Sequence, residues 1–443
     1  MHAPHAAPPP VPAGPPDRPL AFDGAGIHTC AQFADAVRGV AALLPAAPFA
    51  INLCEDRHRF LVAFCAAALR GQATLLPPTR APAVIDAVRA AHPGAYCIGD
   101  ADIVPAPPGL LRLPDVLPRA GGAAPRIAAD ALVAIGFTSG STGTPSSNPK
   151  TWGAFATSTA QNVAALEGLL DARRTTPLVA TVPPQHMYGM ELSVLLPLIA
   201  DVAVHAARPF FPHDVARACA EAFAPALLVT TPVHLRALVQ AAPAMPPLAG
   251  IVSATAPLPV DVARAAEAMF GCEVRELFGS TETCIVARRR TAIDAAWTPL
   301  PGVRITPAGD GTRVEAAHLP APVLLADLVE LHADGRFELR GRSADLLEIA
   351  GKRASLGDLT RKLLAVPGVH DGVVVQLEPN AQGVRRIAAL AVAPDTSEAA
   401  IVNALRASVD PAFLPRLLRR VPALPRNATG KLPREAVLAA LRG

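Results

Sequence analysis

The sequence predicts a large, doubly wound α/β domain followed by a small α+β domain, and three observations lead there. Short apolar runs alternate with helix-like segments from Thr29 to Ala254, the pattern of a parallel sheet covered by helices on both faces. The stretch Thr138-Ser139-Gly140-Ser141-Thr142-Gly143-Thr144-Pro145 directly follows the apolar run Ala131–Phe137. That spacing puts a loop of hydroxyls and glycines after a strand, where such folds bind ligands. After Pro301 the texture changes to short strand-like pieces with Asp-Gly turns at Asp310-Gly311 and Asp334-Gly335.

Taken in order, Met1 to Pro19 is rich in Pro and Ala and lacks a basic-then-apolar signal pattern. Residues 1–24 are therefore expected to be a disordered lead-in. Thr29 to Leu44 reads as a helix with Thr29 as N-cap. Phe49–Cys54 and Gln72–Leu76 read as strands, and Arg57–Arg70 and Ala81–Ala91 as helices. Pro105–Arg126 is Pro-rich and aperiodic, an irregular crossing. Beyond the glycine loop, Trp152–Leu170 reads as one long helix and Leu178–Val182 as a strand stopped by Pro183-Pro184. The alternation continues with a helix at Glu191–Ile199, a strand at Val202–His205 and a helix at Val215–Phe223. A strand at Ala226–Thr230, a helix at Pro232–Gln240 and a strand at Gly250–Ala254 follow. The main domain is expected to cover 25–342 and to include sheet or barrel-like subdomains. Residues 343–443 would form a small mobile lid, with strands at Val373–Leu377 and Ile387–Val392 and helices at Asp358–Ala365 and Glu398–Val409.

Composition narrows the function classes. Apolar residues make up 51% of the chain, enough for a large core, while aromatics are only 4%. The net charge of +3 is too small to argue for nucleic acid. From Ala344 onward, 14 Lys and Arg face 9 Asp and Glu, so the end of the chain is basic and suits an acidic partner or a polyanionic nucleotide. All but four of the 40 basic residues are Arg; the lysines are Lys150, Lys352, Lys362 and Lys431. Seven cysteines, with no CxxC pair, fit a reducing cytoplasm and neither a zinc site nor a disulfide framework. No apolar run is long enough for stable membrane insertion.

Glycines let backbone N–H groups turn toward an anion, and Ser and Thr add donors, so the loop at Thr138–Gly143 is a candidate phosphate cradle. It is not a Walker A loop, since Gly-Lys-Ser/Thr is missing at the required spacing. The loop resembles the phosphate signature of the adenylate-forming superfamily of acyl- and aryl-CoA synthetases, peptide-synthetase adenylation domains and luciferases. Further motifs of that superfamily recur downstream in order. Pro183-Pro-Gln-His-Met-Tyr-Gly189 resembles the segment beside the acyl pocket, which makes His186 and Gly189 pocket residues and His186 a catalytic candidate. Ser253-Ala-Thr-Ala-Pro-Leu258 resembles the lining of the adenine face, at Ala254 and Thr255. Leu277-Phe-Gly-Ser-Thr-Glu-Thr283 resembles the aromatic-Gly-x-Thr-Glu motif. The resemblance implies that Phe278 stacks on adenine beside Gly279, that Thr281 bonds a phosphate oxygen, and that Glu282 holds Mg²⁺.

Asp327 resembles the ribose anchor, and Arg342 its partner at the ribose or α-phosphate. Gly341 to Arg353 resembles the hinge and the loop that guides the thiol, with Ala344 and Asp345 at the pivot and Gly351, Lys352 and Arg353 in the loop. Pro425-Arg-Asn-Ala-Thr-Gly-Lys-Leu-Pro-Arg434 resembles the C-terminal signature, whose Lys, here Lys431, bridges the substrate carboxylate and the α-phosphate. Ser146 stands where that superfamily usually has Lys, and Lys150 is the next lysine able to meet the nucleotide phosphates.

Pro-Ser-Ser-Asn-Pro-Lys-Thr-Trp-Gly153 is similar to the variant in short aryl-activating ligases of bacterial aryl-polyene and xanthomonadin-type pigment pathways. The implied activity is ATP- and Mg²⁺-dependent adenylation of a small carboxylic acid, with an aromatic acid such as 4-hydroxybenzoate favoured. The acyl group would then pass to a thiol, with acyl carrier protein favoured over CoA and a docking face expected at Arg416, Arg419 and Arg420. An aliphatic acyl-CoA ligase, or a nucleotide-binding homologue with weak catalysis, is the alternative.

Overall fold

The helix Arg57–Leu69 has no polar face: every residue from Phe60 to Ala68 is buried. A helix apolar all round must lie between layers, and in the computed structural model it packs on strands of two different sheets. The structure describes the chain except residues 1–7, 102, 104, 139–145, 310, 343–345, 350–351, 379–385, 407, 428–429, 431 and 443. By internal contacts the chain divides into two units, Met1–Val303 with Ala316–Ala321, and Arg304–Glu315 with Pro322–Gly443.

The first unit holds both sheets. In one, five strands run parallel in the order Leu110–Arg112, Tyr96–Gly99, Phe49–Asn52, Ala73–Leu76 and Leu132–Thr138, and Ser146–Thr151 adds antiparallel at the edge. The other has nine strands, six of which form a parallel centre in the order Val274–Ser280, Leu248–Ser253, Ala226–Thr230, Thr176–Ala180, Val202–His205 and Pro19–Asp23. The expected doubly wound architecture is thus present. The expected N-cap is also there: Thr29 accepts from Gln32 N while the Gln32 side chain accepts from Thr29 N.

The expected disordered lead-in is corrected for residues 8–24. Pro19–Asp23 is an internal strand between Val202–His205 and Gly26–Thr29, with Leu20, Ala21 and Phe22 buried. Arg18 is buried too and donates to the carbonyls of Pro197 at 2.8 Å and Val202 at 3.0 Å. Pro and Ala dominate the composition ahead of this strand, but three buried apolar residues and one arginine are enough to hold it in place.

The helix expected at Glu191–Ile199 is three pieces, Met187–Met190, a π-turn at Glu191–Leu195, and Leu196–Ile199. Pro197 lacks an N–H and its ring crowds the carbonyl four residues back, so the regular ladder cannot continue there. The long helix expected at Trp152–Leu170 ends at Ala165. Ser146–Thr151 and the edge strand Leu110–Arg112 lie in stretches where no strand was expected.

In the second unit, Asp371–Gln376, Ile387–Val392 and Leu417–Arg420 form a three-stranded sheet. Its residues alternate sides. Val374, Ala389 and Leu418 pack against Leu359, Leu363 and Ile401. Val375, Ala388 and Leu390 pack against Val437 and Leu441 of the helix Arg434–Arg442. The hairpins Asp327–Leu331/Phe337–Arg342 and Leu346–Ile349/Lys352–Ser355 precede this sheet.

Candidate active site

Three of the sequence-derived motifs meet at Gly136. This glycine lies on Leu132–Thr138, the strand that leads into the glycine loop. A methyl group built on it would sit 2.7 Å from Thr281 Cγ2 and 3.1 Å from Met187 Cε. The strand end, the residue after His186 and the Thr281 turn are therefore in contact, although they are far apart in sequence. Thr138 ends the strand and pairs with Ser146 across the hairpin. Ser139, Gly140, Ser141, Thr142 and Gly143 lie outside the described residues.

Thr281, Glu282 and Thr283 form the turn between the antiparallel strands Val274–Ser280 and Cys284–Arg289. The turn is tied down from behind. Ser280 N donates to Thr283 Oγ1 and Thr283 N to Ser280 Oγ, both at 3.2 Å. Thr283 Oγ1 donates to the Cys284 carbonyl at 2.9 Å. The Glu282 carbonyl accepts from Lys150 Nζ at 2.7 Å, and His318 Nε2 lies 2.7 Å from the Thr283 carbonyl. Cys284 takes a left-handed backbone, φ 59°, which sharpens the turn. Behind it, Gly279 passes so close that an added methyl would lie 2.3 Å from the Cys284 carbonyl oxygen. Thr281 and Glu282 remain half-buried while Thr283 is fully buried.

The remaining motifs follow the carboxyl ends of neighbouring parallel strands. Val229 pairs with Ala180, Thr230 with Ser253, and Ser253 with Glu276. Arg57 donates to the carbonyls of Ala180 and Val182 at 3.0 Å, holding the strand end just before Pro183. His186 is half-buried at the start of the short helix Met187–Met190. Tyr188 Oη donates to the Val252 carbonyl at 3.0 Å and joins this helix to the next motif. Gly189 is buried, and a methyl there would meet the Pro183 carbonyl oxygen at 2.0 Å. The tight turn by itself therefore requires glycine. Ala254 is buried, and Thr255 adopts φ 83°, an outlier for a β-branched residue. Phe278 is half-buried with its ring centroid 5.6 Å from that of Trp297, over which Arg289 lies at 4.4 Å.

Lys150 does not stand out from its strand as a free phosphate-seeking side chain. It is 6% exposed, with its ammonium on the Glu282 carbonyl. Near it lies Glu191, 1% exposed, whose Oε2 accepts from Asn162 Nδ2 at 3.0 Å and Ile285 N at 3.1 Å. Burial raises the Glu191 carboxyl to about 7, with Asn162, Ile285 and the charge of Lys150 opposing the shift. Burial also pushes the Cys284 thiol up to about 12 and moves His318 below its ordinary value.

In the second unit, Asp327 and Arg342 are register partners across their hairpin. Lys352 and Arg353 open the strand Lys352–Ser355, while Ala344, Asp345, Gly351 and Lys431 lie outside the described residues. Described residues before and after that last position are held in place. Arg426 pairs with Asp371 at 2.9 Å and donates to the Gly430 carbonyl at 3.0 Å. Arg434 donates to the Gln376 carbonyl at 2.8 Å. The guanidinium of Arg420 is occupied by the carbonyls of Ala393, Pro394 and Thr396, so this arginine braces a turn.

The family model described as AMP-binding enzyme matches residues 11–322. The chain belongs to the AMP-binding enzyme family. It is 32% identical over 302 residues to a 4-coumarate–CoA ligase of Rhodobacter capsulatus, covering 67% of this chain and 74% of that protein. It is 34% identical over 112 residues to a 3-hydroxybenzoate–CoA/4-hydroxybenzoate–CoA ligase of Thauera aromatica, over 25% of this chain and 21% of that protein. ATP-bound MatB from Rhodopseudomonas palustris shares the fold, with TM-score 0.81 at 19% identity, covering 96% of both chains.

As a member of this family the chain is an AMP-forming acid–thiol ligase that uses ATP and Mg²⁺. The residues present fit the ion. Among the described residues no three His, Cys, Asp or Glu side chains gather into a metal cage. Mg²⁺ needs none when one carboxylate is joined by phosphate oxygens and water. No helix among the described residues is long and apolar enough to cross a membrane. Sequence reasoning missed Gly136, Met187, Asn162, Glu191 and His318. Glu191 did carry a signal, as a lone acid at the head of the apolar run Leu192–Ile199.

Proposed function

We propose that the enzyme adenylates a small aromatic carboxylic acid of the 4-hydroxybenzoate type and passes the acyl group to a thiol, the phosphopantetheine of an acyl carrier protein in preference to CoA. The observation that carries this reading is the meeting of the glycine-loop strand, the His186 segment and the Thr281–Glu282 turn at Gly136. A loop for phosphates, a carboxylate for a cation and a half-buried His beside them suit attack of a carboxylate on the α-phosphate of ATP. The aromatic preference rests on the motif around Lys150 and on relatives named for coumarate and hydroxybenzoates.

In this reading Thr138 to Gly143 donate to the phosphates, and Thr281 bonds a phosphate oxygen as the charge moves. Glu282 holds Mg²⁺, which when bound neutralises charge on the phosphate oxygens. Phe278 and Gly279 meet one face of adenine, with Ala254 and Thr255 beside it. Asp327 accepts the ribose hydroxyls, with Arg342 alongside. His186 borders the acid. Lys431 bridges the substrate carboxylate and the α-phosphate, where a point charge on a flexible stem is suited. Residues 343–443 act as a lid turning at Ala344 and Asp345, and Gly351, Lys352 and Arg353 guide the thiol. Of the three arginines expected to dock a carrier protein, Arg416 is the one to test, because reversing Arg420 would release the turn it braces.

The test is ATP–pyrophosphate exchange with a panel of benzoates, cinnamates and fatty acids, then thioester formation with CoA and with a carrier protein in parallel. Exchange confined to hydroxybenzoates and transfer to the carrier protein is the expected result. Exchange with fatty acids overturns the aromatic assignment. Transfer to CoA alone overturns the carrier-protein assignment. A Charge-reversed Arg416 that leaves the carrier-protein KM unchanged removes that residue from the docking face.

A further inference from the structure

We propose that Lys150 and Glu191 are positioning residues that set the backbone of the Thr281–Thr283 turn from behind, so that Lys150 serves the metal-holding carboxylate of Glu282 and does not touch the nucleotide. The proposal rests on the reading of Glu282 as the Mg²⁺ ligand. Three consecutive carbonyls, of Glu282, Thr283 and Cys284, are met by the side chains of Lys150, His318 and Thr283. The turn's shape is therefore fixed by side chains reaching in from other elements as well as by its own strand ladder.

Lys150 arrives from the strand Ser146–Thr151 and is 132 residues from its partner carbonyl. Its ammonium is taken out of water, at 6% exposure, and donates to that carbonyl at 2.7 Å. Glu191 in turn holds Ile285 N, on the strand that leaves the turn, and Asn162, on the helix Trp152–Ala165. A buried ammonium is costly unless paired and hydrogen-bonded. Filling space alone would favour an apolar side chain, and this one is spent on the peptide carbonyl of the very residue whose carboxylate must face the ion. Such an outer support commonly changes metal affinity about 10- to 100-fold when removed.

The experiment is calorimetric binding of ATP to the full chain across a Mg²⁺ series, which needs no knowledge of the acid, with AMP binding without Mg²⁺ as reference. Lys150→Met is expected to raise the Mg²⁺ concentration for half-maximal ATP affinity about tenfold and to leave AMP affinity within about twofold. In a Glu282→Gln background the same change is expected to add less than about twofold, because the carboxylate it positions is gone. Weaker ATP binding with an unchanged Mg²⁺ midpoint, or full additivity with Glu282→Gln, overturns the proposal and returns Lys150 to the phosphates. Glu191→Leu, which removes the oxygen that accepts from Ile285 N and Asn162, is expected to shift the Mg²⁺ midpoint in the same direction, and an unmoved midpoint removes Glu191 from the pair. If Lys150→Met does not fold, Lys150→Arg decides. Its guanidinium keeps the charge a phosphate ligand needs but does not fit the slot at the Glu282 carbonyl, so a raised midpoint is expected and an unchanged one overturns the proposal. If Glu282→Gln itself leaves the Mg²⁺ dependence intact, the metal-ligand reading fails, and that result is separate from the others.

Discussion

At Gly136 the absence of a side chain is what lets two distant motifs touch. Alanine there must displace Thr281, whose Cγ2 would lie 2.7 Å from the added methyl, while Met187 Cε, at 3.1 Å, would have to give by a few tenths of an ångström. Gly136→Ala is expected to lower kcat/KM for adenylation about 10- to 100-fold through a small misplacement of Thr281, at a stability cost of about 1–3 kcal/mol; steady-state exchange rates and a melting curve check the two separately. Glu191 carries a second prediction. Its carboxyl is raised by burial from 4.5 to about 7, so the folded state keeps its proton while the unfolded chain loses it. Stability from this group is full below pH 4.5, declines as pH rises toward 7, and above that stays lower by on the order of 3 kcal/mol. Glu191→Gln should flatten this part of the profile, so its melting temperature should exceed the parent's at pH 8 and match it at pH 4.5. Phe278, Thr281 and Glu282 could be singled out as candidates from the sequence because a motif consists of adjacent residues. Gly136, Asn162 and His318 were not, because their roles arise only when separate elements pack.

The hairpin Val274–Ser280/Cys284–Arg289 is the element that presents Thr281 and Glu282. Its register shifts between Phe278 and Gly279, where a methyl on Gly279 would lie 2.3 Å from the Cys284 carbonyl oxygen. Gly279→Ala puts a methyl group against backbone atoms on the partner strand, which have nowhere to rotate. It is expected to cost about 2–3 kcal/mol and to weaken Mg²⁺-dependent ATP binding, whereas Gly309→Ala, with open space around its position, should do neither; denaturant titration of both variants tests the contrast. Seven of the fifteen strands of the two sheets were readable, all of them in the parallel parts, because buried parallel strands are short apolar runs. Ser146–Thr151 escaped because Ser, Asn and Pro suggest a loop, and pairing with Leu132–Thr138 makes it a strand nonetheless. The π-turn escaped because periodicity records which residues are apolar and not how the ladder absorbs Pro197.

Across the whole molecule the proposed roles divide between two units. The glycine-loop strand, His186, Phe278 and Glu282 belong to the first, and Asp327, Arg342 and Lys431 to the second. Lys431→Ala is accordingly expected to abolish ATP–pyrophosphate exchange while largely sparing thioester formation from supplied acyl-adenylate. Equal loss of both half-reactions would refute the division.

The placement of Pro19–Asp23 also affects how the protein is made. This strand needs Val202–His205 beside it, and Arg18 bonds a carbonyl 184 residues further on. At ribosomal speeds that interval lasts roughly 10–40 s. Throughout it, Leu20, Ala21 and Phe22 wait without their neighbour, and the nascent chain carries an open sheet edge. Synthesis rate and access to holding chaperones therefore bear on the yield of this enzyme through the segment Arg18–Asp23.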